Sequence, residues 1–199
     1  LRTLEADDIL GINTRQHLAE VNALMQRRIQ DQHMTEGVTI VDPRNTYIDG
    51  RATIGRDTRI FFFSLIKGEV KIGVGCVIGP FAHVRDGTIL GDHTEVGAFV
   101  EVKNSEFVQG ARARHHAYLG DAWIGPDANI GAGVVTANFD GERKSRTTIE
   151  AGAMIGANST LVAPVTIGAK ATVGAGAVVT KGTEVPAGSK VVGVPAHRL

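Results

Sequence analysis

Isoleucine, valine or leucine recurs at every sixth position through much of the chain, with polar and small residues in between. Ile54, Ile60, Ile66, Ile72, Ile78, Val84, Leu90, Val96 and Val102 run without a break. A step of five reaches Phe107, steps of six lead to Ala113 and Leu119, and a second step of five reaches Ile124, then Ile130. After an interruption, Ile149, Ile155, Leu161, Ile167, Val173 and Val179 resume the period. Glycine follows many of these residues, as in "IGVGCV", "IGANST" and "VGAGAV". A period of six fits neither the helical repeat of about 3.6 nor an ordinary hairpin sheet. It suits short strands joined by tight turns, three to a coil, in a parallel β-helix. One apolar side chain per hexad fills a narrow prism, and glycine sits where the chain must bend sharply. From Ile54 to Val179 there are about 21 hexads, hence about seven coils and, at roughly 4.8 Å per coil, a prism about 33 Å long.

Before the prism the pattern changes to helical spacing. "NTRQHLAEVNALMQRRIQDQHMTEG" carries Leu18, Val21, Met25 and Ile29 as an apolar stripe, with Asn13 or Thr14 as the cap and Gly37 at the end. "VDPRNT" reads as the turn into the solenoid. Residues 180–199 leave the period and are expected to cap the last coil. The fold class is therefore an all-β solenoid preceded by an N-terminal α-helix, with residues 1–37 as linker and helix and 38–199 as the solenoid domain. "FFF" at 61–63 fits poorly, because alternation turns only part of it inward. Either an outward phenylalanine marks a subunit contact or the local register shifts.

Composition narrows the function classes. The chain holds 199 residues, 43% of them hydrophobic, enough for a real core. Lys plus Arg and Asp plus Glu both total 21, so there is no overall field to attract nucleic acid or an anionic membrane. Any anion site must be local. Cys76 is the single cysteine, which excludes an internal disulfide and reads as a small core residue. No apolar run approaches the roughly 20 residues of a membrane span, and a cytoplasmic location fits best.

The interior of such a prism is filled by its own side chains, so a ligand must lie outside it or between subunits. Three features mark one region of the exterior. Arg85 and Lys103 are 18 residues apart, one full coil, and point outward from neighbouring coils. Like charges so placed repel unless they share an anion such as a phosphate; two solvated cations splaying apart are the alternative. His115 and His116 sit at a turn, outside the core, near Tyr118 and, one coil back, Glu101, a carboxylate able to orient an imidazole. Histidine titrates near 6.5, which suits a general base for an amine or hydroxyl. The third feature is "TANFDGERKSRTT", the main break in the hexads, expected to project at 137–148 with Asn138, Lys144 and Arg146.

At this point the chain resembles a known family, the acetyltransferase domain of bifunctional bacterial N-acetylglucosamine-1-phosphate uridyltransferase/glucosamine-1-phosphate acetyltransferase. "GCVIGPFAHVRDGTILG", "VGAFVEVKNS", "HHAYLGDAWIGPDANIGAGVVTANFDGERKSRTTI" and "LVAPVTIGAKATVGAGAVVTK" carry the likeness. The resemblance implies a left-handed parallel β-helix, a handedness that periodicity does not reveal. It implies His115 as the catalytic base, with His116 in an apolar slot of the family motif. Arg85, Lys103, Tyr118 and Asn129 would hold the sugar phosphate, with Lys144 and Glu101 close by. Ala132, Asn138, Phe139, Ala157 and Ala175 fall where the family contacts acetyl-CoA. The implied partners are acetyl-CoA and glucosamine 1-phosphate in a homotrimer with sites between subunits, feeding UDP-N-acetylglucosamine and peptidoglycan synthesis. No metal is needed for this transfer.

This chain departs from the family where Phe139 replaces tyrosine, Ala157 replaces serine, and arginine is absent near Gly193. The residues before the helix match only the tail of the uridyltransferase domain, so uridyltransferase activity is not expected here. Competing readings are an acyltransferase of the same fold for another amino sugar, a zinc hydratase using His83, His93, His115 and His116, and an inactive scaffold.

Overall fold

The computed structural model describes residues 10–199. A helix, Arg15–Thr35, is followed by very short parallel strands that stack into three sheets of ten, eight and eight strands. Consecutive strands fall on different sheets, and each strand pairs with the third strand onward, so the chain winds as a three-sided parallel solenoid. The first face begins with Thr39–Ile40, the second with Tyr47–Ile48 and the third with Thr53–Ile54.

The hexad residues point inward as the pattern predicts. Ile60, Ile66, Ile78, Val84, Val96, Val102, Phe107, Ile124, Ile149 and Ile167 are fully buried. Each such aliphatic side chain contributes about 1.5–3 kcal/mol relative to exposure. Cys76 lies in this core between the hydroxyls of Thr58 and Thr94: its amide donates to Thr58 at 3.0 Å, and its sulfur lies 3.3 Å from the Thr94 oxygen.

The prism is longer than the unbroken period indicates, with about eight coils rather than seven. Ile40 and Ile48 already face inward, but a 3-10 turn at Pro43–Asn45 separates them by eight residues and hides the period. Beyond Val179 the six-residue step continues to Val185 and Val191, both buried. The region expected as a cap from residue 180 therefore contains another coil. Only the end turns back, where His197–Arg198 pairs antiparallel with Lys190–Val192.

Thr14 caps the helix by accepting from the His17 amide at 3.1 Å, and Gly37, at φ 95°, turns the chain out of it. The apolar stripe does not form the whole contact, because Leu18 and Met25 are about half exposed. The helix seats instead through amide side chains on the open edge of the first coil. Gln26 Nε2 donates to the Ile48 carbonyl at 2.9 Å, and the Ile48 amide donates back to Gln26 Oε1 at 3.0 Å. Gln30 Nε2 donates to the Thr46 carbonyl at 2.7 Å. An unpaired strand edge needs donors and acceptors, which an apolar stripe cannot supply. No helix among the described residues is long and apolar enough to cross a membrane.

Candidate functional site

The corner joining the first face to the second carries the site. Successive coils place Phe63, Phe81, Phe99, His116, Gly133, Asn158 and Gly176 at one position of the same turn, all with φ between 42° and 75°. The left-handed backbone there is open to glycine and costs most other residues about 1–2 kcal/mol. Three phenylalanines nevertheless occupy the lower coils. Their rings stack along the corner at 5.1 Å between Phe63 and Phe81 and 4.9 Å between Phe81 and Phe99. They are 51%, 41% and 60% exposed. The "FFF" stretch therefore does turn outward at Phe62 and Phe63.

His115 and His116 follow on the next coil, exposed at the corner. His115 ends the strand Arg112–His115, whose partner is Glu95–Ala98; at four residues these are the longest strands of the prism. Ala98 is paired directly with His115, and the His116 amide donates to the Ala98 carbonyl at 2.8 Å.

Above the histidines the corner becomes small. Ala132, Ala157 and Ala175 occupy it, and their carbonyls and neighbouring amides link coil to coil: Asn158 N–H donates to Ala132 at 2.7 Å and Gly176 N–H to Ala157 at 2.8 Å. Among the described residues nothing accepts from the N–H groups of Ala132, Ala157 or Ala175 themselves. At the corner between the third and first faces two of the equivalent amides are occupied by carboxylates: Val74 donates to Asp92 at 2.8 Å and Ala169 to Glu150 at 2.8 Å. A row of unclaimed donors beside alanine suits a polar chain lying along the edge.

The second face carries the cations. His83 pairs with Glu101 and Val84 with Val102, which sets Arg85 and Lys103 on adjacent coils as the 18-residue spacing requires. Arg85 Nη1 donates to Glu101 Oε1 at 2.6 Å, so this carboxylate serves the guanidinium; no hydrogen bond joins it to His115 among the described residues. Lys144 returns on the projecting hairpin beside Lys103, and its contact, followed by the charge of Arg85, lowers the Lys103 pKa. Three cations held this way favour an anion between them. His83 lies alongside with its Nε2 buried and unpartnered, and burial lowers its pKa.

Tyr118 pairs with Glu101, and Gly120 with Lys103. A Cβ at Gly120 would lie 2.6 Å from the Tyr118 hydroxyl and 2.8 Å from Asn138 Nδ2, so the bare glycine lets both groups converge there. Asn138 is buried and donates to Asp121 Oδ2, and Asn104 Nδ2 donates to Asp121 Oδ1 at 2.5 Å. Asp121 thus anchors the base of the hairpin. Sequence reasoning passed over it, although it lies 17 residues from both asparagines. The hairpin itself closes at Phe139 and Lys144, with Phe139 58% exposed, and Asp140 is tied to Lys181 Nζ at 3.0 Å.

Asn129 is set apart from these groups. It pairs with Arg112 and Met154 on the first face, whereas Arg85, Lys103 and Tyr118 lie on the second. Among the described residues no three His, Cys, Asp or Glu side chains cluster as metal ligands do.

Residues 69–104 match the family described as bacterial transferase hexapeptide (six repeats), and residues 146–181 match the hexapeptide repeat of succinyl-transferase. Together with the three-sided prism, these matches define a hexapeptide-repeat solenoid. The Bifunctional protein GlmU of Geobacillus thermodenitrificans is 43% identical over 79% of this chain and 42% of its own length. Its counterpart in Thermotoga maritima is 38% identical over 82% of this chain and 45% of its own length. The chain is similar to these two proteins over about four fifths of its own length and spans less than half of theirs. Among solved structures, the polysialic acid O-acetyltransferase OatWY aligns over 82% of this chain and 87% of its own, at 17% identity and a TM-score of 0.45.

Proposed function

We propose that this chain transfers an acetyl group from acetyl-CoA to the 2-amino group of glucosamine 1-phosphate. The observation that carries the reading is the single corner on which an exposed histidine sits between the cation cluster of the second face and a row of free backbone amides. Arg85, Lys103 and Lys144 take the phosphate, Tyr118 borders the sugar, and the amides of Ala132, Ala157 and Ala175 line the path of the coenzyme. His115 accepts a proton from the amine as its nitrogen attacks the thioester carbonyl. The N–H of Ala132 and the amide of Asn138 stabilise the oxyanion. The C–S bond then breaks, and the leaving thiolate takes the proton from the imidazolium. The product, N-acetylglucosamine 1-phosphate, is a precursor of UDP-N-acetylglucosamine in the cytoplasm.

The active form in this reading is a homotrimer. A convex edge encloses no ligand by itself, and Asn129 reaches a site containing Lys103 only if it comes from a neighbouring copy. The exposed phenylalanine ladder, strained and apolar, suits burial at the same seam. Residues 38–199 form the transferase domain, and the helix Arg15–Thr35 seats on its first coil.

Thiol release from acetyl-CoA, measured across amino sugars, tests the reading. Preference for glucosamine 1-phosphate over glucosamine and glucosamine 6-phosphate is expected. Equal use of all three would transfer the reading to another amino-sugar acyltransferase, and no release with any of them would leave an inactive scaffold.

A further inference from the structure

The His115 imidazole has no hydrogen-bond partner among the described residues, and the neighbouring carboxylate of Glu101 is taken by Arg85. Its orientation must therefore come from the backbone that carries it. Across most of the first face the ladder stops at the inward aliphatic residue, but here it continues two residues further into the corner, to the Ala98–His115 pair. Two features allow the extension. A Cβ at Gly97 would lie 2.0 Å from the Arg114 carbonyl oxygen, so only a bare Cα admits the peptide that precedes His115. The Arg114 side chain then runs back past Gly97 to Glu95, where Nε and Nη2 donate to the two carboxylate oxygens at 2.5 and 2.9 Å. Arg112 Nε stands 3.5 Å from the same carboxylate. Glu95 thus grips both guanidinium groups of the strand that ends in His115.

Resting on the acetyl-transfer reading above, we infer that Glu95 and Arg114 are positioning residues for the reaction: their two-pronged ion pair fixes the strand end from which the base projects. The mutual shifts agree, since Arg114 lowers the Glu95 pKa and Glu95 raises that of Arg114. An ion pair this exposed adds little to global stability, so its effect should appear in geometry rather than in unfolding. A displacement of about 1 Å at a reacting group can cost up to about a hundredfold in rate. Partial loosening of the strand end is expected to cost about tenfold.

The test uses E95Q, R114Q and the exchanged pair E95R/R114E in the full chain. E95Q and R114Q are expected to lose about tenfold in kcat, with KM for both substrates within about twofold and thermal midpoints unchanged, and the exchanged pair to recover most of the loss. Amide exchange at His115 and His116, read without substrate, is expected to quicken about tenfold in E95Q and to slow again in the exchanged pair. Unchanged kcat and unchanged exchange in E95Q would overturn the clamp, as would an exchanged pair no better than the single variants. Absence of transfer by the wild-type chain would count against the acetyltransferase reading instead, and amide exchange would still decide the clamp.

Discussion

The lower and upper halves of one corner share a backbone and differ in what they present. Phe63, Phe81 and Phe99 hold the left-handed turn position with stacked aromatic rings, whereas Gly133, Asn158 and Gly176 hold it with little or nothing beyond the backbone. In the lower half strain of about 1–2 kcal/mol per residue is tolerated to expose apolar surface. In the upper half the amides of Ala132, Ala157 and Ala175 have no acceptor among the described residues. The turn geometry belongs to the repeat, and in the proposed function the occupants of the turn give each half its use: one for a protein surface, the other for a ligand chain. His115 stands where the two meet.

The sharpest way to break this comparison is to remove what lies between the halves. His115→Ala should lower acetyl transfer by about 10²–10⁴-fold while the thermal midpoint stays put, because the side chain is exposed and bonded to nothing; thiol-release kinetics and a melting curve read both. Next comes the lower half. Phe81→Asp removes the central ring of the ladder and places a charge on the seam, so sedimentation should show a shift from trimer to monomer at micromolar concentration; an unchanged trimer would assign the ladder another role.

For the upper half, Ala157→Asp sets a carboxylate beside the free amides. It should raise the acetyl-CoA KM about tenfold and leave KM for the sugar phosphate nearly unchanged, in steady-state measurements with each substrate varied in turn. A smaller effect is expected from Gly120→Ala, which pushes the Tyr118 hydroxyl and Asn138 apart. Both obstacles are ends of side chains, so a loss of a few-fold in kcat/KM with a stability change of about 1 kcal/mol or less is the expected result. The smallest effect concerns the hairpin. The backbone amide of Arg143, Lys181 and the backbone amide of Glu142 together lower the Asp140 pKa to about 2. A depressed carboxylate pKa means the tie is intact above the ordinary value near 4 and is lost as pH falls through the folded value. Amide exchange across residues 138–146 should therefore stay constant from pH 7 to about 4 after correction for intrinsic rates, and quicken towards pH 2.

Most of the prism is legible as a six-residue period, because one inward residue per short strand leaves a direct trace. The period hides Ile40 behind the Pro43–Asn45 turn, and it runs on through Val185 and Val191, where surrounding glycine and proline make the segment look like a cap. The stacking of Arg85 over Lys103 follows from the spacing alone. The partner of Glu101 does not, since Arg85 and His115 lie at similar distances in sequence and only side-chain geometry selects the guanidinium. The direction of the three consecutive phenylalanines is likewise undecided by alternation, because the left-handed corner residue breaks it. Asn129 falls on a different face from Lys103, a separation apparent only when every strand is assigned to its sheet.

A crystal structure with bound acetyl-CoA tests the central claim most directly. It should show the pantetheine chain along the corner, accepting hydrogen bonds from the amides of Ala132, Ala157 or Ala175, with the thioester carbon within reach of an amine held against His115. A coenzyme bound elsewhere, with those amides facing solvent and His115 remote from the thioester, would contradict it.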